Sequence, residues 1–379
     1  MTGYNIEQYM QDLAYLVNID SNAENFAGVN KVAEFLAKDF NAPFWHVKRV
    51  DCGPNCAQPL MITNTVETDY DVSLCCHMDT VFPDGTAAIR PFSIKGKRAY
   101  GPGVSDMKSC CLQGAYVLKA MEAAGSLQKL KVCLAFNTEE ERGSTHVASW
   151  LREIGSHSKY CLVLEAARGN GARVLERKGV LRYQIEMQGR AAHAGNAPQN
   201  GRSAVNEMAY WILQLAALTN FETGLTVNTG VAKGGLIYNS VAPDAYMDVD
   251  VRVVDKSQVA VVETTFAALK KHAAAAEIQV EVRNPVNTPP MSSTPDTAGL
   301  VAIIDAASEA FGLSTEWVKA GGASDGNHTS GAGATTVDGI GPVGSGGHSE
   351  AEYLELDSIE PSLHCLEKIL LDLQAELYE

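Results

Sequence analysis

The sequence predicts an α/β protein: a mostly parallel sheet covered by helices, interrupted by a smaller α+β unit. Three observations predict it. Up to residue 177, short apolar runs alternate with stretches of helical periodicity. From 178 to 290 the strand-like runs change character, with apolar and polar residues alternating as in Val180–Met187, between two helical stretches. From 291 to 379 the helix–strand alternation resumes. Runs that are apolar throughout suit strands buried on both faces, and alternating ones suit strands with one wet face.

In chain order, residues 5–18 and 27–39 carry apolar side chains at helical spacing. Asp71–Cys76 is an apolar run that stops at His77. Met107–Ala124 reads as a helix, opened by Ser105-Asp106 as caps and closed by Gly125. Leu130–Phe136 ends at Asn137-Thr-Glu-Glu-Glu141, and Cys161–Leu164 ends at Glu165. Strands separated by helices in this way pair in parallel.

Within the insertion, Val180–Met187 places Leu181, Tyr183, Ile185 and Met187 on one face. Ser203–Leu218 is helical, and Leu225–Lys233 and Ala245–Val254 read as strands. Lys256–Ala275 is helical and Glu277–Arg283 is a further strand. The order β-α-β-β-α-β is ferredoxin-like. Asn284-Pro285 and Pro289-Pro290 read as the linker back to the first domain. The expected division is 1–177 with 291–379, and 178–290.

Composition narrows the function. The 379 residues are 46% hydrophobic and 20% charged, enough for a sizeable core. Asp and Glu number 45 against 30 Lys and Arg, a net charge of −15. That excess disfavours nucleic acid and anionic membranes, which need basic surface. No run approaches the ~20 apolar residues of a membrane-spanning helix. The first residues show no basic region followed by an apolar stretch. Nine cysteines, an odd number and mostly inside apolar runs, read as reduced thiols in a cytoplasmic protein.

The chemistry lies at the strand ends. His77, the Glu139–Glu141 cluster and Glu165 each follow an apolar run. Ligands of open parallel sheets bind beyond the carboxyl ends of the strands. The loop Gly101-Pro-Gly-Val-Ser-Asp106 offers a further acid, and Gly344-Ser-Gly-Gly-His348 a histidine in a glycine-rich loop. Each alone is an ordinary polar loop residue; their concurrence at one sheet edge is the signal. Imidazole and carboxylate ligands suit zinc and similar divalent ions. Paired ions need a bridging carboxylate, and a glutamate beside the ligands can act as general base. Asp79 is placed to accept the imidazole N–H of His77. Gly101-x-Gly103 lacks the third glycine of a dinucleotide fingerprint, which argues against a nicotinamide-dependent dehydrogenase.

With these segments in order, the whole chain resembles the di-zinc metallopeptidase family of glutamate carboxypeptidases, aminoacylases, acetylornithine deacetylases, succinyl-diaminopimelate desuccinylases and tripeptidases. The segments that carry the resemblance are Cys76–Val81, Gly101–Lys108, Asn137–Gly143, Leu164-Glu165, Gly189–Gly195, Gly321–Asn327 and Gly347–Glu350. The wording is closest to the glutamate carboxypeptidase-like branch. The resemblance implies two divalent ions per subunit, zinc first and cobalt or manganese as alternatives. It implies that His77 and Glu165 bind one ion, Glu141 and His348 the other, and that Asp106 bridges them. It makes Glu140 the general base and Asp79 the residue that orients His77. Glu139 stands where the family more often has Asp, at a position that is not a ligand. His193 of the insertion would stabilise the oxyanion, from its own or a partner subunit, in a homodimer formed through the insertion.

The resemblance also implies an amide substrate, a small peptide or N-acyl amino acid with a free carboxylate. Asn239, Arg252, Arg283 and the loop containing Gly322 match positions expected to recognise that carboxylate. A bidentate arginine suits the task, though Arg252 and Arg283 also suit surface or interface ion pairs. A carboxypeptidase, an N-acyl amino acid deacylase and a non-catalytic metal-binding homologue are the readings left open.

Overall fold

The computed structural model describes residues 2–378. The chain divides into two compact units. One comprises the residues up to Glu176, Met291–Ala320 and Ser324 onward; the other comprises Arg177–Pro290 and Gly321–Ala323.

The first unit is built on an eight-stranded sheet. Its strands run across in the order His46–Arg49, Leu60–Thr63, Val132–Asn137, Tyr70–His77, Ser158–Val163, Thr335–Asp338, Arg173–Arg177 and Trp317–Ala320. The expected parallel pairing holds at the centre: Tyr70–His77 pairs in parallel with both Val132–Asn137 and Ser158–Val163, and the latter with Thr335–Asp338. Towards one edge, Leu60–Thr63 and His46–Arg49 pair antiparallel, so the sheet is mixed.

Side-chain alternation explains the apolar runs. Val72, Leu74 and Cys76 face the larger core with Leu134, Phe136 and Leu162. Cys75, Cys133, Ala135, Cys161 and Val163 face a second cluster beneath Trp150, Leu151 and Ile154. Both faces are thus dry, and the middle positions of these strands, such as Val72–Cys76 and Val132–Phe136, are apolar or small. The helices Ser109–Ala123 and Ile359–Tyr378 cover the first face, and Ala148–Ser156 covers the other. All nine cysteines are free thiols.

Two local expectations are corrected. Ser105 and Asp106 do not cap the helix. They lie in a tight turn at Val104–Lys108, where Asp106 has non-helical φ −119° and ψ 85°, and the helix proper is Ser109–Ala123. Gly125 does follow its end with φ 64°. Asn284-Pro285 is not linker: the strand Gln279–Thr288 runs through it. That strand lies at the edge of its sheet, and its register shifts opposite Arg182 and Gln184. An edge with a bulge is where a sheet tolerates a residue lacking an N–H.

The second unit is a four-stranded antiparallel sheet in the order Thr226–Gly234, Asp244–Val253, Gly179–Gln188 and Gln279–Thr288. The helices Ala204–Ala216 and Lys256–Ala275 connect its strands in the ferredoxin-like order. Leu181, Tyr183, Ile185 and Met187 pack with Met247, Val249 and Val251 and with Trp211 and Phe266 from the helices. Among the described residues no helix is long and apolar enough to cross a membrane.

Candidate metal centre

Parallel pairing brings the strand ends together. In register, His77 lies beside Asn137, at the start of the glutamate turn, and Cys75 beside Val163, two residues before Glu165. A separate five-stranded sheet adds the remaining histidine. Its strand Gly341–Ser345 pairs in parallel with Ala166-Ala167, immediately after Glu165, and leads into His348.

His77 is buried, and its Nε2 lies 3.1 Å from Oδ1 of Asp106 and 3.4 Å from Oε1 of Glu165. His348 Nε2 lies 3.0 Å from Oε2 of Glu141 and 3.4 Å from Oδ2 of Asp106. The two oxygens of Asp106 therefore face two different histidine–glutamate pairs. Ligand atoms of His77, Asp106 and Glu141 all lie within 4.8 Å of one another. Imidazole nitrogens and carboxylate oxygens in this arrangement, one carboxylate shared between two groups, fit a pair of divalent ions.

The backbone is shaped for this approach. A Cβ on Gly347 would lie 2.9 Å from Oδ2 of Asp106, so the glycine leaves room for the carboxylate in this position. His348 itself adopts φ 63°, a left-handed conformation that costs energy outside glycine and concentrates at functional sites.

Asp79 is fully buried. His77 Nδ1 lies 3.1 Å from its backbone carbonyl oxygen and 3.4 Å from its Oδ1. The carboxylate does more than face the imidazole: Oδ1 accepts the Glu140 N–H and Oδ2 the Glu141 N–H, each at 3.1 Å. Asp79 thus clamps the turn that presents Glu140 and Glu141. Glu139 is buried and turned to other partners: it accepts from Val147 N–H and pairs with His146 Nδ1 at 2.8 Å.

The electrostatics are those of crowded acids. Burial pushes the Glu140 carboxyl well above the usual range; His77 opposes this, and Glu165, Asp325 and Glu141 add to it. Burial and the neighbouring Asp106 push Glu141 up to about 8. Burial, then Asp106, raises Glu165. For His77, burial disfavours the charge but is outweighed by Asp106, Asp79 and Glu165, which hold the imidazole well above its ordinary value. His348 is raised to about 9, chiefly by its contact with Asp106. Such a cluster calls for positive charge at its centre.

Sequence reasoning passed over two buried acids here. Asp325 accepts from Asn137 Nδ2 and Ser144 Oγ, both at 2.8 Å, and burial pushes its carboxyl up to about 7. Glu352 accepts three backbone N–H groups of the Asp106 turn. Asp325 lies in the Gly321–Asn327 segment that carries the resemblance, but its partners lie far away in sequence, and so do those of Glu352, which has no local signal. Asn22, Thr80, Asp84, Glu141 and Arg142 line an adjoining cavity of about 550 Å³.

The expected substrate residues lie in the second unit. Arg252 Nε is 2.7 Å from Oδ1 of Asp250, its strand neighbour. Arg283 pairs with Glu186 and lies 3.7 Å from Glu281. Asn239 is exposed, and its carbonyl accepts the Ala194 N–H at 2.9 Å. The Gly322 carbonyl accepts from Arg177 Nη1 at 3.2 Å. His193 Nδ1 accepts the N–H groups of Gly195 and Asn196, both at 3.1 Å.

Residues 74–372 match the model of peptidase family M20/M25/M40. The chain belongs to this family. The M20 chain is 26% identical to carboxypeptidase G2 of Pseudomonas sp. (strain RS-16) over 373 residues, covering 97% of this chain and 89% of that one. It is 25% identical to a succinyl-diaminopimelate desuccinylase of Azoarcus sp. (strain BH72) over 297 residues, covering 73% and 75%. The same fold occurs in the aminopeptidase PepT of Bacillus cereus, with a TM-score of 0.79 at 22% identity over 97% of this chain and 99% of that one. It also occurs in an M20 metallo-carboxypeptidase of Sulfolobus solfataricus, with a TM-score of 0.72 at 17% identity over 96% and 98%. The M20 chain is therefore a metallopeptidase-family enzyme, and the described cluster lies in the matched segment.

Proposed function

We propose that this M20 peptidase cleaves an amide bond of a small peptide bearing a free carboxylate, as a carboxypeptidase. The observation that carries the reading is the division of the Asp106 carboxylate between His77 with Glu165 and His348 with Glu141. The resemblance to carboxypeptidase G2 along nearly the full chain supports the peptidase class.

Two divalent ions held by these five residues, most simply zinc, would lower the pKa of a water and polarise the scissile carbonyl. Glu140 takes the proton from the attacking water and passes it to the leaving amine. Asp79 keeps Glu140 and Glu141 in place through their backbone N–H groups. His193 donates to the tetrahedral oxyanion. Arg252, Arg283 and Asn239, with the loop of Gly322, recognise the substrate carboxylate. The cavity beside Glu141 has the size of a small-ligand pocket and takes one side chain of the substrate. A lid and dimerisation role for the second unit belongs to the same proposal.

The match to a desuccinylase favours a second reading, hydrolysis of an N-acyl amino acid at the same centre. The test is hydrolysis of a dipeptide with C-terminal glutamate against an N-acetyl amino acid, after adding zinc, cobalt or manganese to metal-stripped protein. Turnover of the dipeptide alone supports the carboxypeptidase reading. Turnover of the N-acetyl compound alone replaces it with the deacylase. No metal-dependent turnover of either rejects both.

A further inference from the structure

Two loops distant in sequence supply Asp106 and His348, and one buried carboxylate fastens them. Glu352 lies four residues after His348 and is 1% exposed. Its Oε2 accepts the Gly103 N–H at 2.9 Å. Its Oε1 accepts the Ser105 N–H at 2.9 Å, the Asp106 N–H at 3.0 Å and the Ser105 hydroxyl at 3.3 Å. The contact to Asp106 spans 246 residues of sequence. Gly103 adopts φ 73°, and three N–H groups of this one turn point to the carboxylate, an arrangement that binds an anion.

The Asp106 backbone is thus held from the loop of His348, while its Oδ2 faces the ring of His348. We propose that Glu352 is a positioning residue: it sets the distance between Asp106 and His348, and with it the affinity for the second ion. The inference rests on the bimetal reading of the cluster. The Ser105 and Asp106 N–H groups are satisfied by the same oxygen, so a side chain with a single acceptor cannot also serve Gly103. Glu352→Gln is isosteric, yet it turns an amide NH₂ toward one of these donors. Glu352→Asp keeps the charge but withdraws it by one methylene.

The experiment titrates metal-stripped protein with Zn²⁺ by calorimetry and records the visible spectrum of the Co²⁺-substituted form. Wild type, both Glu352 variants and His348→Ala are compared. In Glu352→Gln the first equivalent binds as in wild type. The second weakens roughly 10–100-fold, the range for groups that orient metal ligands. Its cobalt bands shift, and kcat falls while KM changes little. Glu352→Asp falls between this variant and wild type. A second-equivalent affinity within threefold of wild type, with an unchanged cobalt spectrum, overturns the proposal even if the metal-free protein melts earlier. If Glu352→Gln does not fold, Glu352→Asp decides by the same two readouts. If wild type takes up only one Zn²⁺, the bimetal reading itself fails, and this inference with it.

Discussion

Oδ2 of Asp106 comes within 3.4 Å of His348 Nε2 because the residue before that histidine has no side chain. A Cβ on Gly347 would stand 2.9 Å from the same oxygen. The obstructed atom is the end of a side chain, so the carboxylate would rotate and the fold would persist. Gly347→Ala is therefore expected to lower kcat about tenfold or more, the usual range for a disturbed ligand shell. Thermal unfolding of the metal-free protein should move by less than about 1 kcal/mol. Kinetics together with a melting curve check both halves.

Glu140→Gln removes the group assigned to proton transfer without touching a ligand. The expected loss is about 10²–10⁴ in kcat, with two metals still bound. Metal analysis beside the kinetics decides: substantial activity in this variant removes Glu140 from the role of base.

Asp79→Asn leaves one acceptor where two backbone donors converge. One buried N–H loses its partner, which costs about 1–3 kcal/mol. The metal-stripped variant should unfold at lower urea than wild type. An unchanged midpoint would mean that the turn does not depend on the clamp.

Arg252→Met tests the substrate carboxylate. KM for carboxylate-bearing substrates should rise, while the corresponding amide is hydrolysed as before. Arg252 is paired with Asp250, so Asp250→Asn offers a complement: it frees the guanidinium and should lower the same KM. A KM unmoved in both variants leaves the pair structural.

His328 gives the stability a pH dependence of its own. Burial, with a smaller effect of Arg152, lowers its pKa from 6.5 to about 4. Its buried Nδ1 has no hydrogen-bond partner among the described residues. Between these values the unfolded chain binds more protons, so the contribution is complete above pH 6.5 and is lost as pH falls toward 4. Going from pH 7.5 to 5, His328 should account for about 2 kcal/mol of lost stability. Urea unfolding of wild type and His328→Gln at both pH values measures it; equal losses in the two proteins would refute the assignment.

The periodicity of the sequence determined the central sheet and the insertion. Runs such as Val72–Cys76 are apolar or small at every position because helices cover both faces, and that is readable locally. The strict alternation of Asp244–Val253 likewise shows one dry face. The cluster residues His77 and Glu165 were legible because they end such runs, and parallel strands carry their ends to one edge. Asp106, by contrast, was legible as a site residue but misplaced as a helix cap, since a turn and a cap share the same small polar residues. Asn284-Pro285 has the composition of a linker, and only its place on an edge strand makes it part of the sheet. The clamp of Asp79 on the glutamate turn and the hold of Glu352 on the Asp106 turn were decided by tertiary structure alone. Local sequence encodes which face of an element is dry. It does not encode which backbone donors a buried carboxylate will meet, because those donors arrive from 61 residues away for Asp79 and 246 for Glu352 when the chain closes.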